Sequence, residues 1–194
     1  MFGNAAVEVW RAYFERHGLY VVRVDKIEDQ GAPMATREDD KLVLPDLQVF
    51  GNTFHGWVEI KAKTSHTFYN AKHQFRTGIE ERLWLQYLRV EKESGLPGYL
   101  AMTFQKGARL MFQSLDILDQ WTHPHEGSTA AFNGQKMVWW ELNAFRQIDT
   151  DDDIKALIET TMAEHPPVTR QSRPWDRPTE VMPFHQSRLW DDAL

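Results

Sequence analysis

Asp46, Glu59, Ile60 and Lys61 are the residues of this chain whose types and spacing best suit chemistry. They stand as Leu44-Pro45-Asp46, then twelve residues, then Glu59-Ile60-Lys61. Side chains alternate along a strand, so Glu59 and Lys61 share a face while Ile60 points into the core. A preceding strand folded back by a turn brings Asp46 beside them, and two carboxylates then converge with an ammonium next to them. Oxygen ligands of this kind suit a hard cation. Mg²⁺ keeps several waters and needs only one or two carboxylates plus a carbonyl, here that of Ile60. A bound cation acidifies water and offsets charge on a phosphate. Lys61 is placed to orient the attacking water or to stabilise developing negative charge. This is apparatus for hydrolysing a phosphodiester, with Mg²⁺ as cofactor and Mn²⁺ as its substitute. An acid-x-Lys triplet alone is common on solvated strand faces; the Pro-Asp at hairpin distance gives this one weight.

The elements that must position these residues are legible in outline. Residues 4–17 read as an amphipathic helix with Ala6, Val9, Trp10, Tyr13 and Phe14 on one side and Gly18 as its stop. Residues 19–24 read as a strand, and the acidic, Gly- and Pro-containing stretch 25–41 as an exposed loop. Strands follow over 42–50 and 56–62, joined by a turn at Gly51-Asn52, with a bend or edge position at Pro45. Ile79, Leu83, Trp84, Tyr87 and Leu88 recur at helical spacing, which predicts a long helix over about 71–94, ended by Gly95 and Pro97. Further strands are expected over 99–104, 110–112 and 137–142. The acids from Asp149 to Asp153 open a helix reaching Glu164. From residue 165 to 194, five prolines alternate with Trp175, Phe184 and Trp190, the texture of an extended arm that wraps its own domain or a partner. The chain therefore divides into a core over 1–148, a helix over 149–164 and a tail over 165–194. It is an α/β arrangement with a mixed central sheet flanked by helices.

Pro45-Asp46 and Glu59-Ile60-Lys61, set in a helix-hairpin-helix-strand order over about residues 4–104, resemble the signature of the PD-(D/E)xK nuclease superfamily. The resemblance implies a restriction-endonuclease-like core of α-β-β-β-α-β order that cuts DNA with Mg²⁺. It makes Asp46 and Glu59 metal ligands and Lys61 the catalytic lysine. Many members also carry a glutamate on the first helix, and Glu8 has that placement, on the side of the helix away from the apolar stripe. Some place a glutamine and a tyrosine on the helix after the lysine. Here the spacing of Gln74, Gln86 and Tyr87 fits no such pattern, and Tyr87 falls on the apolar stripe as a core residue. Relatives that cut two strands pair two sites, which implies a homodimer, and the tail is the candidate surface for a protein partner.

The chain has 194 residues, 42% hydrophobic and 26% charged, a globular composition of one-domain size. Its formal net charge is −6, which argues mildly against nucleic acid as a partner. Distribution counts for more than the sum. From Ile60 to Ile79 there is no acid, while Lys61, Lys63, Lys72 and Arg76 are interleaved with His66, Phe68, Tyr69, His73 and Phe75. Lys63, Lys72 and Arg76 are thus the candidate DNA contacts, holding phosphates without reading sequence. Cysteine is absent, removing disulfides and thiolate zinc sites. His123-x-His125 lacks a third ligand, and no glycine-rich phosphate loop is present. No apolar run approaches the roughly 18 residues of a membrane helix, and the first residues lack a basic start and apolar stretch, so a cytoplasmic location is expected. The rival to a nuclease is a catalytically inactive protein of the same fold that acts as a DNA- or protein-binding assembly module. A chance signature in an unrelated α/β protein is the third reading.

Overall fold

The computed structural model describes residues 2–26, 33–52, 54–69, 73–106, 108–121 and 136–148. The elements are α1 (Phe2–Arg16), β1 (Tyr20–Arg23), a one-turn 3₁₀ helix (Val24–Lys26), β2 (Met34–Arg37), β3 (Asp40–Val43), β4 (Leu47–Phe50) and β5 (His55–Lys63). They continue with β6 (Thr67–Tyr69), β7 (Gln74–Glu80), α2 (Glu81–Ser94), β8 (Gly98–Phe104), β9 (Arg109–Ser114), α3 (Leu115–Gln120), β10 (Met137–Glu141) and β11 (Arg146–Ile148). The proposed helix over 149–164, the tail over 165–194, Lys72, His123 and His125 lie outside the described residues.

Six strands form the central sheet in the order β1-β4-β5-β8-β9-β11. Every neighbouring pair in it is antiparallel except β5 with β8. A parallel pair needs a crossover, and α2 lies within it. The mixed α/β class and the helix, three sheet strands, helix, strand order are thus those expected, with the β2–β3 hairpin inserted before β4. Alternation along β5 separates two cores. Val58 and Ile60 pack with Ala6, Val9, Trp10 and Phe14 of α1, and the Trp10 indole donates to Thr103 Oγ1 at 3.0 Å. On the other face Leu100 and Met102 meet Trp84 and Tyr87 of α2 and Trp140 of β10. Burial of such side chains contributes roughly 1.5–3 kcal/mol each.

Two expectations are corrected. The stretch 25–41 is not simply a loop: residues 34–43 form the β2–β3 hairpin. Nothing in β2 is buried, so no apolar alternation advertised it; Glu38 takes the left-handed φ of 52° at the turn. Arg89 pairs through both guanidinium nitrogens with Asp40, and the Val43 amide donates to Gln86 Oε1 at 3.4 Å, which ties the hairpin to α2. The helix expected over 71–94 begins only at Glu81. Residues 74–80 form β7, in a second sheet of order β10-β7-β6. Gly78 lies opposite Trp139, and a Cβ there would stand 2.5 Å from the Val138 carbonyl oxygen and 2.8 Å from Trp139 Cε3. Ile79 joins the same core as Trp84, which explains its place in the helical spacing. Gly95, at φ 68°, caps α2 and donates to the Glu91 carbonyl. Among the described residues no helix is long and apolar enough to cross a membrane.

Candidate active site

The strand break at Pro45 makes the site. Leu47 opens β4 opposite Val58, so Asp46 stands just beyond the ladder. Its backbone carbonyl accepts from the amides of Val24 (2.9 Å) and Asp25 (3.3 Å), which anchors it to the end of β1. Its Oδ2 accepts from the Ile60 amide at 2.8 Å, taking the place of the missing ladder partner. Within a strand the amide and carbonyl of one residue point to the same edge. The Ile60 carbonyl therefore faces the Asp46 side too.

Glu59 is 4% exposed, on the face opposite Val58 and Ile60. Lys61 lies on that face as well, with Nζ 2.5 Å from Glu59 Oε1. Burial pushes the Asp46 carboxyl up to about 7, with the Glu59 charge adding to it and a smaller push from Asp25; the Ile60 amide and Lys61 act the other way. Burial alone would lower the Lys61 ammonium, but the charge and hydrogen bond of Glu59, with Asp46 and Glu80, hold it above its ordinary value. Lys61 is therefore a fixed cation and a hydrogen-bond donor, not a base.

Tyr87 of α2 is 3% exposed and is part of this group. Its hydroxyl is hydrogen-bonded to Glu59, and burial followed by the Glu59 charge raises its pKa, so it remains a donor. Lys61 Nζ lies 5.8 Å from the centre of its ring. A buried tyrosine hydroxyl needs a partner, and that requirement was the available signal in the sequence. Core and site are here the same position.

Glu8 does not join Asp46 and Glu59. Val21 of β1 packs into the α1 core, so Arg23, two residues on, leans the same way. There Arg23 Nη1 pairs with Glu8 Oε1, and Glu8 Oε2 also meets Arg11 at 2.9 Å. Arg23 grips Asp25 with two further nitrogens, Nε at 2.6 Å and Nη2 at 2.5 Å. Among the described residues no three Asp, Glu or His side chains come together as a ligand set. Arg23 and Asp25, charged residues at the end of an apolar strand, carried no motif that would have singled them out.

Lys63 and Arg76 of the basic stretch make contacts within the fold. Lys63 donates to the Gly78 carbonyl at 2.9 Å, and burial, with Lys61 nearby, lowers its pKa. Arg76 is 3% exposed, its guanidinium 4.2 Å from the centre of the Tyr69 ring. Both tie β7 to its surroundings. His66 packs on Phe104 at 4.2 Å between ring centres. Phe68, by contrast, is partly exposed at the β6–β7 hairpin and packs on Phe75 and His73.

The donor set fits a hard cation: two carboxylates and a carbonyl, all oxygen, at a largely buried position where Asp46 and Glu59 repel one another. A divalent ion held by these groups would offset that repulsion.

The class defined by this architecture is a mixed α/β core with two carboxylates and a lysine at the point where β4 and β5 part. Over 80% of its length the chain is similar to 88% of the Holliday junction resolvase Hjc of Archaeoglobus fulgidus, at 13% identity and a TM-score of 0.45. It is also similar to a nuclease from a fusselovirus, over 82% of this chain and 89% of that one, at 8% identity and a TM-score of 0.38. No protein-family model and no curated protein sequence matches the chain.

Proposed function

We propose that this protein is a metal-dependent DNA nuclease that hydrolyses phosphodiester bonds. The observation that carries the reading is the convergence of Asp46 on Glu59, with the Lys61 ammonium 2.5 Å from the latter. No packing requirement calls for two repelling carboxylates at this depth, and a cation site does. Asp46, Glu59 and the Ile60 carbonyl are the residues to hold Mg²⁺ or Mn²⁺. When bound, the ion supplies Lewis acidity at a phosphate oxygen.

The chain's own groups supply the rest. Lys61, permanently charged, donates to the nonbridging phosphate oxygens and favours the more highly charged transition state. Glu59 orients Lys61, and the Tyr87 hydroxyl holds Glu59. Asp46, with a pKa near neutrality, gives up a proton on taking a cation. The experiment is cleavage of duplex, single-stranded, flap and four-way-junction DNA in Mg²⁺ or Mn²⁺, with a chelator control. Metal-dependent cutting is expected. Well-folded protein that cuts none of them contradicts the reading in favour of a binding module.

A further inference from the structure

The unexplained charge at this site is Arg23. Its side chain is 14% exposed, that of Asp25 15% and that of Glu8 44%. Guanidinium does not lose its proton in a protein, so this is a cation in every state of the molecule. It holds Asp25 through a two-nitrogen fork and Glu8 through a third contact. The fork is the stronger grip, because paired parallel bonds add geometric constraint to charge. Asp25 is in turn adjacent to Asp46, whose carbonyl accepts the Asp25 amide and whose carboxyl feels the Asp25 charge. One positive charge is thus fixed on Asp25, the neighbour of Asp46, and Glu8 is drawn onto it.

We propose that Arg23 is a positioning residue that, clamped by Asp25, engages Glu8 and keeps this carboxylate out of the cation's ligand set, so that the site holds its metal less tightly than its acids permit. The inference rests on the nuclease reading only in taking Asp46 and Glu59 as the place where the cation binds. Two consequences differ from those of a plain structural ion pair. Removing the Arg23 charge strengthens cation binding instead of weakening it. Glu8 contributes little to binding while Arg23 is present and more once Arg23 is gone.

Both are read by calorimetric titration of the full chain with Mn²⁺, without substrate. Arg23→Gln should bind Mn²⁺ at least about fivefold more tightly than wild type, the scale of one unit charge acting through well-solvated surroundings. Glu8→Gln alone should change the affinity by less than about threefold, whereas loss of an outer-shell group or ligand costs about ten- to a hundredfold. In the Arg23→Gln background, Glu8→Gln should remove most of the gain. Unchanged or weaker binding by Arg23→Gln overturns the inference alone, provided that wild type binds Mn²⁺ and Asp46→Asn does not. Absence of binding to wild type, or its persistence in Asp46→Asn, overturns the nuclease site and this inference with it. Should Arg23→Gln not fold, the exposed Glu8→Gln carries the test: a tenfold loss shows Glu8 to be a working ligand and overturns the proposal.

Discussion

At the scale of single residues the site is an electrostatic balance. Lys61 and Glu59 compensate one another, and removing one partner leaves the other charged and poorly solvated. Lys61→Met is therefore expected to lower the unfolding free energy by roughly 3 kcal/mol. The double variant Glu59→Gln/Lys61→Met should recover more than half of that loss in denaturant unfolding; strictly additive losses would contradict the coupling. Asp46 behaves in the opposite sense. Its carboxyl is raised from 3.8 to about 7, so the folded state holds the proton more tightly than the unfolded chain. The stability this gives is fully present below about pH 4 and is lost as pH rises through 7. Asp46→Asn, which does not titrate, should gain on metal-free wild type by a few kcal/mol between pH 4 and pH 8, at about 1.4 kcal/mol per pH unit. Parallel stability curves would show that Asp46 is not buried against Glu59.

At the scale of elements, β7 shows how the sequence both informs and misleads. Asp46, Glu59 and Lys61 were legible because Pro45 and the alternation around Ile60 allow few alternatives. Helix α1 was legible from its apolar stripe, and β8 from its largely apolar run between Gly98 and Phe104. The β2–β3 hairpin was not, since β2 is exposed along its whole length and carries no hydrophobic period. Strand β7 reads as part of the helix because Ile79 continues the spacing of Leu83 and Tyr87. What decides for a strand is long-range: Trp139 lying across Gly78, and the Lys63 ammonium on the Gly78 carbonyl. Gly78→Ala places a methyl against the Val138 carbonyl and should cost about 2 kcal/mol. For a chain of this size that lowers the thermal midpoint by roughly 4–8 °C. An unchanged midpoint would mean that β7 and β10 do not approach as closely as described.

At the scale of the whole molecule, two titrating groups act on stability in opposite directions. Burial, with Arg109 nearby, lowers His66 to about 4, so its contribution is present above its ordinary value of 6.5 and lost as pH falls toward 4. Between pH 4 and 6.5 this loss opposes the gain from protonating Asp46. Asp46→Asn should therefore lose stability toward acid across that window, and His66→Phe should lose it toward neutral pH. Thermal midpoints measured at intervals across the window separate the two, and slopes of the same sign in both variants would contradict the assignment.

The two cores, one under α1 and one under α2, hold β5 between them, and the carboxylates lie where β4 begins and β5 continues past it. Lys63 and Arg76, in the stretch after Lys61, are engaged inside the fold, so DNA contact is expected to centre on Asp46, Glu59 and Lys61. The most direct measurement is cleavage of end-labelled DNA in Mg²⁺ by wild type, Asp46→Asn and Lys61→Met, each shown to be folded by circular dichroism. A metal-dependent rate in wild type, reduced at least about a hundredfold in both variants, is what a site built on these residues predicts. Cleavage that survives either substitution, or that ignores a chelator, would contradict it.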